Sequence, residues 1–210
     1  MKIVADELLA RIYHYYARDV GSMDPSYPMT PEKLRLIELC KSAGTGEPYE
    51  RFRQMLRRLG ARFPEFDIQN GSLHLAAGNF EACYSAKAWL PLSAPDVSHY
   101  YLGLLIGIIA PVYVVYRTIR HAPTERKQWS MAEEMQHIIQ HKGEYPLEHS
   151  FSFTLQEQPY ADAISAEIEA TFGAERLTPE IGNIFVPDVY AGHRGFGKET
   201  IYTCLLSGEW

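Results

Sequence analysis

His99-Tyr-Tyr-Leu-Gly-Leu-Leu-Ile-Gly-Ile-Ile-Ala-Pro-Val-Tyr-Val-Val-Tyr-Arg-Thr-Ile-Arg120 is the stretch whose reading decides the fold. Its apolar part, residues 100–116, is 17 residues long, the lower limit for a helix that crosses a bilayer. Gly103, Gly107 and Pro111 interrupt it, and Ile, Val and Tyr crowd it, all of which disfavour a helix and suit a pleated strand. Ala110-Pro111 is a natural break. The stretch therefore predicts two buried strands, 99–109 and 112–120, rather than a membrane span. In the second, Val112, Val114, Tyr116 and Thr118 alternate with Tyr113, Val115, Arg117 and Ile119, so the two sets face opposite sides of a sheet.

Working outward, the preceding third of the chain reads as helical. Leu8, Ile12, Tyr15 or Tyr16 and Asp19 follow helical spacing. Thr30-Pro31-Glu32 places a capping hydroxyl before a proline at the first helical position, and that helix ends near Gly44. Tyr49, Phe52, Leu56 and Leu59 mark a third helix over 48–60. Strands are expected over 66–69, 72–77 and 79–89, with turns at Asn70-Gly71 and Gly78. Beyond the central pair, a helix is predicted over 130–141, a strand over 150–155 and a helix over 159–172 stopped by Gly173. Final strands are predicted over 184–189 and 200–206. Strands and helices do not alternate regularly, which excludes a doubly wound nucleotide-binding sheet. The expectation is an α+β fold: a mainly antiparallel sheet with N-terminal helices and two later helices packed on one face. One domain is expected over 1–210, helical over 1–64 and sheet-containing over 65–210, with no internal repeat or long linker.

Composition narrows the function. The 210 residues, 46% hydrophobic and 22% charged, suffice for a core without staples. Cys40, Cys83 and Cys204 form no CxxC pair and lie beside apolar residues, which reads as buried reduced thiols in a reducing, cytoplasmic compartment. The first 19 residues lack the long apolar core of a secretion signal. Net charge is −6 and uneven: residues 126–210 carry 6 basic against 13 acidic side chains. That half repels nucleic acid and attracts a basic partner. The basic run Arg51, Arg53, Arg57, Arg58 and Arg62 sits among Glu47, Glu50 and Glu65 and reads as internally paired rather than as a phosphate contact.

Sites for chemistry are weakly marked. Gly192-His-Arg-Gly-Phe-Gly-Lys-Glu-Thr200 nearly matches the phosphate-cradling G-x-x-x-x-G-K-[ST]. However, Glu199 stands where the magnesium-holding hydroxyl belongs, and the residues that follow read as a strand. The string is expected to be a glycine-rich connection. Glu134, His137 and His141 share a helix face and define one rival reading, a small metal-dependent hydrolase. No nucleophile elbow or catalytic cysteine signature is present. What remains is a supply of interface side chains: 14 tyrosines, 3 tryptophans and the aromatic loop from Tyr190 to Phe196.

The segments His99-Tyr-Tyr-Leu-Gly-Leu-Leu-Ile-Gly, Asn183-Ile-Phe-Val-Pro-Asp-Val and Thr200-Ile-Tyr-Thr-Cys-Leu-Leu-Ser-Gly-Glu-Trp resemble bacterial polymorphic-toxin immunity proteins, nearest the Immunity protein 52 family. The resemblance implies a non-enzymatic cytoplasmic antitoxin that binds a toxin of restriction-endonuclease fold and blocks its active site. Such effectors pass between competing bacteria through contact-dependent systems such as type VI secretion. It implies no cofactor, no metal, no direct nucleic-acid binding and no membrane contact. Charge asymmetry and loop composition nominate Glu144, Glu148, Glu157, Asp188, Tyr190, His193 and Phe196 as the partner-binding residues. A second rival is an adaptor or structural protein of a secretion or phage-like assembly.

Overall fold

A computed structural model describes residues 4–72, 75, 82–90, 97–121, 147–192 and 194–206. Three helices come first: α1 (Ala5–Tyr15), α2 (Pro31–Ala43) and α3 (Gly46–Arg62), with a 3-10 turn (Tyr27–Met29) ahead of α2. The predicted cap is in place, since the Thr30 hydroxyl accepts from the Lys33 amide and Gly44 ends α2. Phe52, Leu56 and Leu59 are buried along α3, joined by Met55 on the same face.

The sheet runs β1 (Asp67–Asn70), β2 (Cys83–Trp89), β3 (Val97–Gly107), β4 (Val112–His121) and β5 (Glu148–Ser150) in spatial order, every neighbour antiparallel. A two-residue β6 (Glu175–Arg176) adds to β4 in parallel. The 99–120 stretch thus forms the central hairpin, in a register that sets Gly103 opposite Tyr116 and Ile106 opposite Tyr113. Among the described residues no helix is long and apolar enough to cross a membrane.

One sheet face takes Tyr84, Ile106 and Tyr113, register partners in a row. Helix α3 lies on it through Phe52, stacked on Tyr84 at 4.9 Å. Helix α4 (Gln158–Phe172) lies beside α3, and its Glu169 accepts the Tyr113 hydroxyl at 2.5 Å. The Tyr84 hydroxyl donates to the Ala43 carbonyl at 2.8 Å, fastening the end of α2 to the sheet. On the opposite face Tyr116 lies over Gly103, where a Cβ would fall inside the phenol ring. Only glycine fits there, and the ring covers the surface the missing side chain leaves bare. Helices and sheet share one core cluster, which includes Ile12, Phe52, Leu104, Val115, Ile168 and Cys204. All three cysteines are buried and none is in a disulfide. Burial pushes the Cys204 thiol far up, so it stays protonated.

The α+β class and the antiparallel sheet are as predicted, and α4 is the helix expected over 159–172. The 130–141 helix and nearly all of the 72–77 strand lie outside the described residues. Three segments differ from expectation. The strand predicted at 150–155 stops at Ser150. The strand predicted at 200–206 is instead a helix, α6 (Ile201–Leu205), following a short α5 (Pro179–Gly182). The Thr200 hydroxyl accepts from the Thr203 amide while the Thr203 hydroxyl accepts from the Thr200 amide at 2.8 Å. This reciprocal cap overrides the strand preference of Ile201, Tyr202 and Thr203. Without its partner, the strand expected at 184–189 is reduced to a single bridge, Phe185 to Thr200.

Candidate functional site

The nominated residues fall into two places. Asp188, Tyr190 and Phe196 belong to the loop between α5 and α6, which packs on the connection between α1 and α2. The Asp188 carbonyl accepts from the Asp19 amide at 2.7 Å, and its carboxylate receives Arg18 Nε at 2.5 Å. Asp19 takes the left-handed conformation, φ +57°, which an aspartate tolerates better than most residues. The Tyr27 hydroxyl donates to the Tyr190 carbonyl at 3.1 Å, and the two rings meet edge to face at 5.4 Å. Phe196 approaches Gly21. Arg18 lies over the Tyr13 ring and Lys33 over Tyr27. These bonds hold two loops together as one surface. It leaves large apolar side chains in solvent: Phe196 is 47% exposed, Phe185 67%, Met29 71% and Met23 94%.

The glycine-rich string proves to be part of this surface. Gly192, Gly195 and Gly197 all have positive φ, so the backbone curls inward. The group it encloses is its own. Glu199 is fully buried, and its Oε1 accepts from the amides of Ala191 at 3.2 Å and Arg194 at 3.3 Å. A carboxylate from within the chain thus occupies the concave side that a phosphate would need. The connection expected between two strands leads instead into a helix.

Glu148 and Glu157 lie together at the other place, the β4–β5 edge. Glu148 is exposed and stands opposite Ile119 in the register. Glu157 is not on the surface: it precedes α4, is 1% exposed, and is bonded internally. Its Oε1 accepts the Tyr100 hydroxyl at 2.5 Å and its Oε2 the Thr154 amide at 2.6 Å, with Arg117 at 3.5 Å. Burial alone would raise its carboxyl, but the bonds from Tyr100 and Thr154 and the Arg117 charge outweigh burial and hold it below the ordinary carboxylate range. Burial, then the bond to Glu157, pushes the Tyr100 phenol well up. Glu157 is therefore a structural anchor rather than a direct contact for a macromolecule. An open cleft of ≈ 470 Å³ lies against this cluster, lined by Tyr100, Arg117, Ile119, Leu155 and Gln156.

Glu144 and His193 lie outside the described residues, as do Glu134, His137 and His141 of the metal-site reading. Among the described residues no group of three or more His, Cys, Asp or Glu side chains converges to hold a metal ion. The basic run of α3 is engaged within the protein. Arg53 and Arg57 pair with Glu50, Arg58 reaches Glu167 of α4 at 2.6 Å, and Arg51 donates to the Thr171 carbonyl. Arg117, Tyr27 and Arg18 carry no signal in the sequence, because their partners lie far along the chain. Phe185 was legible only as part of an apolar run.

No family model, no curated protein and no solved structure matches this chain.

Proposed function

We propose that this chain is a cytoplasmic immunity protein that neutralises a cognate secreted bacterial toxin, a nuclease, by binding it and blocking its active site. The observation that carries the reading is the loop surface on which Phe185, Phe196, Met23 and Met29 stand in solvent above a framework of backbone bonds. Exposed aromatic side chains on a fixed frame supply interface anchors, and methionine adapts to a partner's contours. Monomers rarely expose such groups together without a use for them. The resemblance of three segments to toxin-immunity proteins points the same way. So does the acid excess over residues 126–210, which favours a basic partner such as a nuclease.

Asp188, Tyr190, His193 and Phe196 belong to this contact, and the charges of Glu144 and of the exposed Glu148 steer the basic partner toward it. No catalytic residue, cofactor or metal has a part in the mechanism. Inhibition is occupation of the nuclease surface that substrate needs.

Co-expression with the product of the neighbouring gene tests the reading. Rescue of growth together with co-purification of a complex is expected. The double variant F185A/F196A should weaken the complex by ~100-fold while leaving the melting temperature unchanged, since both rings face solvent. Failure of rescue overturns the reading. Unchanged affinity in the double variant removes the loop surface from it.

A further inference from the structure

We propose that the cleft at the β4–β5 edge is a carboxylate-binding site, with Arg117 as its anion-holding residue and Ile119 and Leu155 as its apolar wall. The proposal is independent of the loop surface and of the toxin reading. Three observations carry it.

First, the Arg117 guanidinium is a charged group with unused donors. Among the described residues it donates no hydrogen bond, and its only ion-pair contact is Glu157 at 3.5 Å, longer than a charge-assisted bond. Its side chain is 26% exposed, and it lines the cleft. Second, Glu157 also lines the cleft, but its carboxylate is already engaged. Its side chain is 2% exposed and its oxygens are taken by Tyr100 and Thr154. Its charge keeps Arg117 in place, and the planar fork remains available to a second, incoming carboxylate. Third, the remaining lining suits an acid with an apolar body. Leu155 is 95% exposed at the rim, Ile119 forms the floor beside the Tyr100 ring, and Gln156 offers an amide at the mouth. A space of ≈ 470 Å³ falls within the range of small-molecule and peptide-end sites.

Two carboxylates oppose an anion: Glu157 in the lining, whose charge Arg117 and the Tyr100 hydroxyl offset, and Glu148. Glu148 is the register partner of Ile119, so its exposed carboxylate lies on the same sheet face near the mouth. Glu148 therefore keeps affinity low and discriminates against multiply charged ligands. This gives the proposal a signature of two signs: removing the guanidinium weakens binding, and removing the Glu148 charge strengthens it.

The test is titration of the full chain with N-acetyl-leucine, followed through the Arg117 Nε–Hε resonance, with the methyl ester as the uncharged control. The acid should shift the resonance saturably and the ester should not. Arg117→Gln should weaken binding by ~10-fold or more. Arg117→Lys, which keeps a charge beside Glu157 and loses the fork, should weaken it less. Glu148→Gln should tighten it by ~2-fold. Absence of a saturable shift overturns the proposal, as does equal binding of acid and ester. Unchanged affinity in both Arg117 variants also overturns it. If the same Arg117 variants weaken the complex with the protein partner, the carboxylate belongs to a side chain or chain end of that partner. If they leave that complex unchanged, it belongs to a free small acid.

Discussion

The β3–β4 hairpin and the C-terminal segment 184–206 have nearly the same vocabulary, Ile, Val, Tyr, Thr and Leu, yet one is the centre of the sheet and the other is a loop closing on a five-residue helix. In the hairpin Tyr100 to Ile106 are each paired with a residue of β4, so composition and environment agree. In the C-terminal segment a local contact decides. Thr200 and Thr203 bond each other's amides, which starts a helix after a single bridge from Thr200 to Phe185. Strand preference is a statement about neighbours, and where neighbours are missing a cap of two hydroxyls prevails.

The largest expected effect treats both regions alike. Tyr84 and Tyr113 in the sheet and Tyr202 in α6 are each pushed up to about 12, foremost by burial. In the unfolded chain they ionise near pH 10. Their contribution is fully present below about pH 10 and is lost as pH rises toward 12, because only the unfolded state releases the protons. The share of tyrosinate absorbance that Tyr84→Phe, Tyr113→Phe or Tyr202→Phe removes should appear together with loss of circular dichroism. That share appearing well before unfolding would show these hydroxyls to be open to solvent.

The next effect belongs to the hairpin alone. Gly103→Ala should cost about 3 kcal/mol in denaturant unfolding, because the new methyl competes with the Tyr116 ring for one volume. Tyr116→Leu in the same chain should recover part of that loss. Thr200→Val should cost about 2 kcal/mol, leaving the buried Thr203 amide without its acceptor. It should leave hydrogen-exchange protection of β3 and β4 intact while lowering that of α6. If Thr200→Val instead converts the segment to strand, long-range pairing decides there too and the contrast fails. The smallest effect is expected at Arg58→Ala, within about 0.5 kcal/mol, since its pair with Glu167 is 51% exposed on the arginine side.

Much of the architecture was legible in the residues. Alternation through 112–119, the Thr30-Pro31 start of α2 and the Gly173 stop of α4 are local signals, and each has its local consequence in the fold. The Thr200-x-x-Thr203 cap was equally local, but the β-branched and aromatic residues around it carried the opposite message. The candidate sites were legible in part. Asp188, Tyr190 and Phe196 gather on one surface, which no spacing in the sequence announced. Glu157 did not follow its charge, because a carboxylate beside a helix start looks the same in sequence whether solvent or a tyrosine hydroxyl receives it. Tyr100 and Arg117 enclose it from strands far up the chain, and no spacing rule connects them.

For the partner contact proposed above, the buried Glu199 carboxylate has a consequence for association kinetics. A glycine-rich segment normally samples many shapes and loses that freedom when it meets its target, which slows docking and weakens the complex. Here the amides of Ala191 and Arg194 are already drawn onto an acid from the same chain. The entropy of ordering is settled during folding, so Tyr190 and Phe196 approach an encounter on a backbone that has little left to rearrange.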